Sequence, residues 1–248
     1  AFDNNGSIQI DRSTTSGIFM SNGLFTNNSN VTIGANVSIA DLITANMGTF
    51  SHVSGTLSGT GSIAANKFSN AGGTLSPGYS PGILTFDADE DFTNSSMLIE
   101  ITGGGGTGGT DFDLIYVDGI ATIGANTNLS LEFSYAASDG TTFDVLTANN
   151  ISGTIPIGNI TFTNVGAGNI TGVSVSYPGN NKIRITVSTP ATWTGNIDTD
   201  WQNGGNWSSG VPDATDVVII PDEANDPTIS SGAVAKTLTI QNGAVLTI

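Results

Sequence analysis

Residues 55–63 read Gly-Thr-Leu-Ser-Gly-Thr-Gly-Ser-Ile and hold two very short apolar pieces separated by glycines. Similar pieces precede them at Val31-Thr32-Ile33 and Val37-Ser38-Ile39, with Gly or Asn at nearly every break. β-Branched residues favour strands, and Gly and Asn favour the turns between strands. Short strands that return at close intervals are typical of a solenoid, in which each strand pairs with its counterpart one turn later. The pattern over residues 1–86 therefore predicts stacked parallel β-solenoid turns around a narrow core of Ile, Leu and Val.

The rest of the chain divides into two further regions. Residues 87–190 contain longer stretches of alternating apolar and polar residues, such as 97–101 and 182–187, which predict longer strands. Residues 191–248 contain all three tryptophans and predict a Trp-containing module that starts a new solenoid stack. The pentapeptide Thr-Ile-Gly-Ala-Asn occurs at both 32–36 and 122–126, which indicates an internal repeat.

A double Ser-Pro-Gly unit lies at residues 76–78 and 80–82. Proline fixes φ and glycine permits positive φ, so each unit predicts a turn. We expect a break in the stack at this segment.

Composition narrows the fold and the partners. Charged residues make up 10% of the chain, and strong helix formers such as Glu, Lys, Gln and Arg are scarce, so the chain is predicted to be all-β. The net charge is −16, with 21 acidic and 5 basic residues. So few bases cannot build a phosphate-binding stripe, which makes nucleic acid a poor partner. No run is long and apolar enough to predict a membrane span, and both ends of the chain suggest a piece of something longer.

The residues offer little for catalysis. There is no cysteine, and the single histidine, His52, is interpreted as a surface or strand residue; one histidine also excludes any site that needs two. The loop 103–109 is rich in glycine but lacks lysine and a following helix, so it predicts a flexible hairpin loop. We assign no catalytic, cofactor-binding or metal-binding residue and expect no enzyme activity.

Carboxylates are the one remaining source of chemistry. Acids cluster at 87–91 (Asp-Ala-Asp-Glu-Asp) and at 222–226, and carboxylate pairs serve polysaccharide-cleaving enzymes. The bases are scattered and, apart from Asp11-Arg12, have no useful acidic neighbour in sequence. The run 87–91 is interpreted as a solvated turn, with Ca²⁺ binding left open as an alternative.

Two parts of the chain resemble known families. Residues 72–155 carry, in order, the phrases 73–84 (Gly-Thr-Leu-Ser-Pro-Gly-Tyr-Ser-Pro-Gly-Ile-Leu), 91–93, 98–101, 109–117 and 140–146. This order resembles the passenger repeats of bacterial autotransporters. The resemblance implies a right-handed parallel β-helix, with a β-sandwich-like interruption as an open alternative, exposed outside the cell.

Residues 192–248 resemble a module of very long secreted proteins of the Bacteroidetes. The similarity rests on Trp193-Thr194-Gly195, Trp201, Asn206-Trp207-Ser208, Gly210-Val211-Pro212 and the strand at 216–221. It implies type IX secretion, attachment to the cell surface and a role in adhesion or gliding motility. The tryptophans are expected to cap or pack a β-stack, and a sugar-stacking platform is the alternative.

Together these features predict a non-catalytic structural or adhesive segment of a large extracellular or cell-surface bacterial protein. Its expected partners are a surface polysaccharide or other extracellular ligand and neighbouring modules of the same chain. The alternative is a carbohydrate-binding or polysaccharide-cleaving β-helix that uses Tyr79, Tyr135, Tyr177 or the tryptophans as platforms. An ice-binding threonine face ranks last, because no strict Thr-x-Thr ladder is found.

Overall fold

Regular structure in the described part of the chain is almost entirely β-strand. The structure, a computed structural model, describes residues 2–10, 19–20, 24–28, 31–33, 38–41, 49–64, 67–78, 81–104, 106–165 and 170–248. In those ranges the helical elements are three single turns of 3-10 helix: Ile157–Asn159, Pro178–Asn180 and Gly204–Asn206. None of them is long or apolar enough to cross a membrane. The prediction of an all-β chain is confirmed.

The strands of the described residues are short at first, longer between residues 96 and 188, and short again after residue 190. In chain order they are Phe2–Asn4 (β1), Ile8–Ile10 (β2), Phe19–Met20 (β3), Leu24–Asn27 (β4), Val31–Ile33 (β5), Ser38–Asp41 (β6), Thr49–His52 (β7), Thr56–Gly59 (β8), Ser62–Ala64 (β9), Lys67–Asn70 (β10), Thr74–Pro77 (β11), Ile83–Phe86 (β12), Glu90–Asp91 (β13), Ser96–Ile101 (β14), Leu114–Thr122 (β15), Asn128–Phe133 (β16), Thr142–Ser152 (β17), Ile160–Asn164 (β18), Gly172–Ser176 (β19), Lys182–Ser188 (β20), Ala191–Thr192 (β21), Val217–Ile220 (β22) and Thr237–Ile240 (β23).

Pairing follows a period of three strands. Each strand from β1 to β12 pairs in parallel with the third strand after it, as β1 does with β4, β4 with β7 and β7 with β10. The long strand β15 then pairs with both β12 and β13, and after it β14, β16 and β18 follow one another in one sheet. Three rows of parallel strands thus run along the chain: the rows that begin at β1 and β3 meet at β15 in one sheet, and the row that begins at β2 forms a second sheet.

The parallel order ends in an antiparallel pair. β15 pairs in parallel with β17, and β17 pairs antiparallel with β20, which also pairs with β19. Parallel pairing runs without interruption across residue 86, where the sequence suggested a boundary between short-stranded and longer-stranded regions. That boundary and the one at 190 stay predictions.

The Ser-Pro-Gly segment forms a corner and not a break. Ser76 and Pro77 end β11, which pairs with β8 on one side and β14 on the other. β12 follows at once and pairs with β9 and β15 in the other sheet. Gly78 has φ +83°, and a Cβ there would lie 2.3 Å from the Gly82 backbone nitrogen. Position 78 therefore has no room for a side chain. Tyr79 and Ser80 lie outside the described residues.

A column of phenylalanines fills the interior of the first half. The rings of Phe50, Phe68, Phe86 and Phe92 are buried and contact in succession, with centroids 5.3, 4.9 and 5.4 Å apart. In-register pairing of β7 with β10 sets Phe50 beside Phe68, whereas Phe86 of β12 and Phe92, which follows β13, reach the same interior from other positions. The sequence contains part of the signal, because the Phe-x-Asn phrases at 25–27 and 68–70 both align in register with 50–52, although the short apolar pieces predicted a core of Ile, Leu and Val.

The described residues form two compact units. The first comprises Ala1–Tyr135, Thr142–Gly168 and Val175–Thr186, and the second comprises Ala136–Thr141, Asn169–Ser174 and Val187–Ile248. In the second unit β21, β22 and β23 form a parallel sheet over a core of Ala191, the three tryptophans, Val218 and Ile220.

Candidate functional site

His52 is a core residue. It ends strand β7, is fully buried, and stands in register between Asn27 of β4 and Asn70 of β10. A Cβ at Gly73 would lie 2.1 Å from its Nε2 atom, so the imidazole packs directly on that backbone. Burial lowers the pKa of His52, against the opposing effect of hydrogen bonds with the backbone of Thr74 and Gly55. The prediction of a strand residue holds, but a surface position is wrong.

The asparagines in register with His52 form hydrogen bonds with the turns that follow their strands. Asn70 Oδ1 accepts from the backbone nitrogens of Gly72 (3.4 Å) and Gly73 (2.8 Å), and its Nδ2 donates to the Gly73 carbonyl (2.9 Å). Asn4 Oδ1 accepts in the same way from the Gly6 nitrogen at 3.0 Å. These side chains satisfy buried backbone groups at the corner that follows each strand. His52 therefore occupies a structural row and is not presented to a substrate.

Most of the aspartates accept hydrogen bonds from backbone N–H groups. The carboxylates that accept a backbone N–H bond are those of Asp89, Asp91, Asp111, Asp113, Asp139, Asp198, Asp200, Asp213, Asp216 and Asp226. Asp113 is fully buried and holds two strands, because Oδ1 accepts from Gly82 (2.9 Å) and Oδ2 accepts from Glu100 (3.0 Å). Burial raises the pKa of Asp113 to about 7, although both hydrogen bonds act in the opposite direction.

The acidic run 87–91 is only partly a solvated turn. Asp87, Asp89 and Asp91 are exposed, but Glu90 in β13 is 2% exposed and neither carboxyl oxygen has a hydrogen-bond partner. Desolvation, and then the charges of Asp89 and Asp91, raise the pKa of Glu90 to about 9, so the side chain is a neutral acid at pH 7. Among the described residues, no group of three or more His, Cys, Asp or Glu side chains is arranged to hold a metal ion.

One acid is paired with two bases that lie far away in the sequence. Asp144 of β17 binds Lys182 Nζ at 2.8 Å and Arg184 Nε at 2.6 Å, across the antiparallel pairing of β17 with β20. The hydrogen bond from Arg184 is the main cause that lowers the pKa of Asp144. The sequence neighbours of these two bases did not indicate the pairing, because only the antiparallel return of the chain brings them to Asp144.

A pair of glutamates lines an open cleft on the first unit. Glu100 of β14 and Glu132 of β16 are direct neighbours in parallel strands, and Thr102, Ser134 and Val165 complete the lining. Neighbouring strands lie about 4.8 Å apart. That spacing resembles the carboxyl separation of retaining glycosidases, roughly 5–5.5 Å. The sequence pattern did not indicate this pair, because only the strand register brings the two glutamates together.

The tryptophans form the core of the second unit. Trp193, Trp201 and Trp207 are 0%, 2% and 5% exposed, and Trp207 contacts the other two edge-to-face at 5.0 and 4.6 Å. Trp207 Nε1 donates to the Trp201 carbonyl at 2.8 Å, and Trp193 Nε1 donates to the Asn225 carbonyl at 2.6 Å. These rings are closed to solvent, so the alternative of a sugar-stacking platform made of tryptophan is wrong.

The tyrosines differ in their accessibility. Tyr79 lies outside the described residues, and Tyr135 and Tyr177 are half-buried. The Tyr177 hydroxyl accepts a hydrogen bond from the Ile155 nitrogen at 2.7 Å, which ties it to the fold. Tyr116, which was not among the predicted platforms, is 41% exposed in the middle of β15. Alternation along the sequence could have found it, because Ile115 and Val117 point inward.

Comparison with known protein families finds a match to the last part of the chain. The profile of a family described as a domain of unknown function (DUF8693) matches residues 192–248, within the second compact unit. No curated protein and no solved structure is significantly similar to the chain.

Proposed function

We propose that this chain is a non-catalytic structural and adhesive segment of a large secreted or cell-surface bacterial protein, whose first unit is a right-handed parallel β-helix. The segment serves as a stiff spacer that also offers its outer faces to extracellular ligands. The resemblance to autotransporter passengers and to type IX secretion substrates supports an extracellular location and a role in adhesion or gliding.

The period of three in strand pairing is the observation that carries this proposal. A strand that always pairs with the third strand after it is what a coil with three strands per turn requires. Such a coil lengthens by about 4.8 Å with each turn and leaves strand edges only at its ends. The phenylalanine column gives this coil a continuous packed interior, which suits a stiff spacer.

The use of the acids supports a structural role as well. The ten aspartates named above accept backbone N–H bonds and Asp144 is bound by two bases, so these carboxylates are engaged in holding turns and strands. A nucleophile or general acid needs a carboxyl group that faces a substrate and is positioned by others. These aspartates instead face the backbone.

The cleft between Glu100 and Glu132 favours a second candidate, polysaccharide cleavage. Both side chains are partly exposed on one face of directly neighbouring strands, and a retaining glycosidase also needs two carboxyl groups close together. Because this reaction needs both carboxyl groups, replacement of either Glu100 or Glu132 by glutamine would abolish cleavage.

An assay of polysaccharide breakdown tests the proposal. The chain is incubated with neutral and acidic polysaccharides, with and without Ca²⁺, and released reducing ends are measured over time. We expect none above the background of a boiled sample. Suppose instead that reducing ends are released, that the release is lost in Glu100→Gln and Glu132→Gln, and that it persists in the exposed control Glu223→Gln. That result would contradict the non-catalytic proposal and support polysaccharide cleavage by the two glutamates.

A further inference from the structure

The outer face of β15 carries an unusual exposed aromatic. Tyr116 points outward from the middle of a nine-residue strand, and Asp118 and Ile120 follow it on the same face. The alternate residues Ile115, Val117 and Ala121 are buried in the interior. The Tyr116 ring therefore stands on a rigid strand whose other side is fixed by the core.

Hydroxyl groups flank this ring on both neighbouring strands. Thr85 of β12 and Thr147 of β17 are the register partners of Tyr116, so the three form one row across the sheet. At about 4.8 Å per strand, the row spans roughly 10 Å. Both threonines are partly exposed beside the ring.

A second, more acidic row lies next to the first. Asn149 Nδ2 donates to Asp118 Oδ1 at 3.2 Å, which links β17 to β15 on the outer face. Asp87 follows β12 directly, and burial and then the nearby charge of Asp118 raise its pKa. Asp87, Asp118 and Asn149 are thus side by side and, apart from their links to each other, face solvent. We name the six residues of both rows the Tyr116 strip: Thr85, Asp87, Tyr116, Asp118, Thr147 and Asn149.

The strip matches the two-sided chemistry of a sugar ring. A pyranose presents an apolar face of C–H groups, which an aromatic ring covers well, and a rim of hydroxyl donors. Carboxylate and amide oxygens accept from such donors, and threonine hydroxyls can donate or accept. Two coupled carboxylates and a net charge of −16 oppose an anionic polymer. A row of exposed side chains across neighbouring strands suits a long chain lying across it more than a small molecule in a pocket.

We propose that the Tyr116 strip binds a neutral polysaccharide, with Tyr116 as the stacking platform. This inference rests on the adhesive role proposed above and names the class of ligand and the site. Tyr116 provides the contact area, and Asp118 and Asn149 fix the orientation of the sugar through its hydroxyl groups.

Affinity electrophoresis in gels that contain soluble β-glucan, xylan or galactomannan tests the strip, with polygalacturonate and chitosan gels as charged controls. We expect at least one neutral polysaccharide to retard the full chain. Tyr116→Ala should weaken that binding about tenfold or more, whereas Tyr116→Phe should keep most of it because the ring remains. Tyr135→Ala, which removes a half-buried tyrosine outside the strip, should leave binding unchanged.

The outcomes separate this inference from the proposed function. Neutral binding lost in Tyr116→Ala, with no release of reducing ends, supports both. The same loss accompanied by reducing-end release supports the strip and overturns the non-catalytic role. Absence of binding to all three neutral polysaccharides, binding to chitosan alone, or binding unaffected by Tyr116→Ala would overturn the strip and leave the spacer untouched. Thermal unfolding of each variant shows whether the exposed substitutions preserve the fold.

Discussion

At the scale of single residues, the interior contains one feature that conflicts with its surroundings. Glu90 occupies a position in register with Ala121 on the inner side, near the phenylalanine column, where neither of its carboxyl oxygens has a hydrogen-bond partner. A neutral carboxyl group tolerates such a place far better than a carboxylate does. Ionisation of Glu90 is therefore coupled to the stability of the first unit.

This coupling predicts a pH dependence. The folded-state pKa of Glu90, about 9, exceeds its usual value of 4.5, so its favourable contribution is complete below pH 4.5 and is lost as the pH rises through 9. Asp113, with a folded-state pKa of about 7, acts in the same direction between its usual 3.8 and 7. Glu90→Gln should flatten the fall in the free energy of unfolding between pH 5 and 9. Urea unfolding at several pH values measures this, with exposed Glu223→Gln as the control, and an unchanged slope in Glu90→Gln would contradict it.

A second residue-scale prediction concerns the phenylalanine column. Phe68 contacts both Phe50 and Phe86, and its removal leaves a cavity between two rings. Phe68→Ala should lower the free energy of unfolding by about 3–5 kcal/mol. The half-buried Phe162 offers a matched control, since Phe162→Ala should cost clearly less. Equal losses in the two variants, measured by urea unfolding, would show that the column is not the centre of the core.

At the scale of elements, the corners between strands decide where each sheet continues. The corner after β11 depends on Gly78, whose positive φ and close approach to Gly82 exclude a side chain. Gly78→Ala should destabilise the chain by more than about 1 kcal/mol, through strain at positive φ and collision with backbone. Gly158 has open space around it and no positive φ, so Gly158→Ala should change the melting temperature little. If Gly78→Ala has the same melting temperature as the wild type, the corner after β11 does not require glycine at position 78.

Another element-scale lesson lies in the antiparallel strand β20. The sequence places Asp144 and Arg184 forty positions apart, yet the register of β17 with β20 sets them directly opposite each other. The ion pair is partly exposed, so its stabilisation is expected to be modest. Pairings of this kind depend on which strands meet, and the alternation within either strand does not specify that.

At the scale of the whole molecule, secondary structure is open to a direct check. The described residues contain strands and three single 3-10 turns, so far-ultraviolet circular dichroism should show one broad β-type minimum. A double minimum of helical type would contradict both the fold and the spacer proposal.

Fluorescence gives a second check, since all three tryptophans are buried and their emission should move to longer wavelength on unfolding in urea.

The sequence by itself determined the class of structure. Scarce helix formers, β-branched runs and Gly/Asn breaks act locally, so they indicated strands and short turns without knowledge of any partner strand. Tertiary structure decided which strands pair and in what register. It turned the Ser-Pro-Gly segment into a corner, buried His52 and Glu90, joined Asp144 to two distant bases, and lined up Tyr116 with Thr85 and Thr147. The reason is physical: a period-two pattern tells which side of a strand faces inward, whereas neighbours across strands are fixed by contacts between residues far apart in the chain.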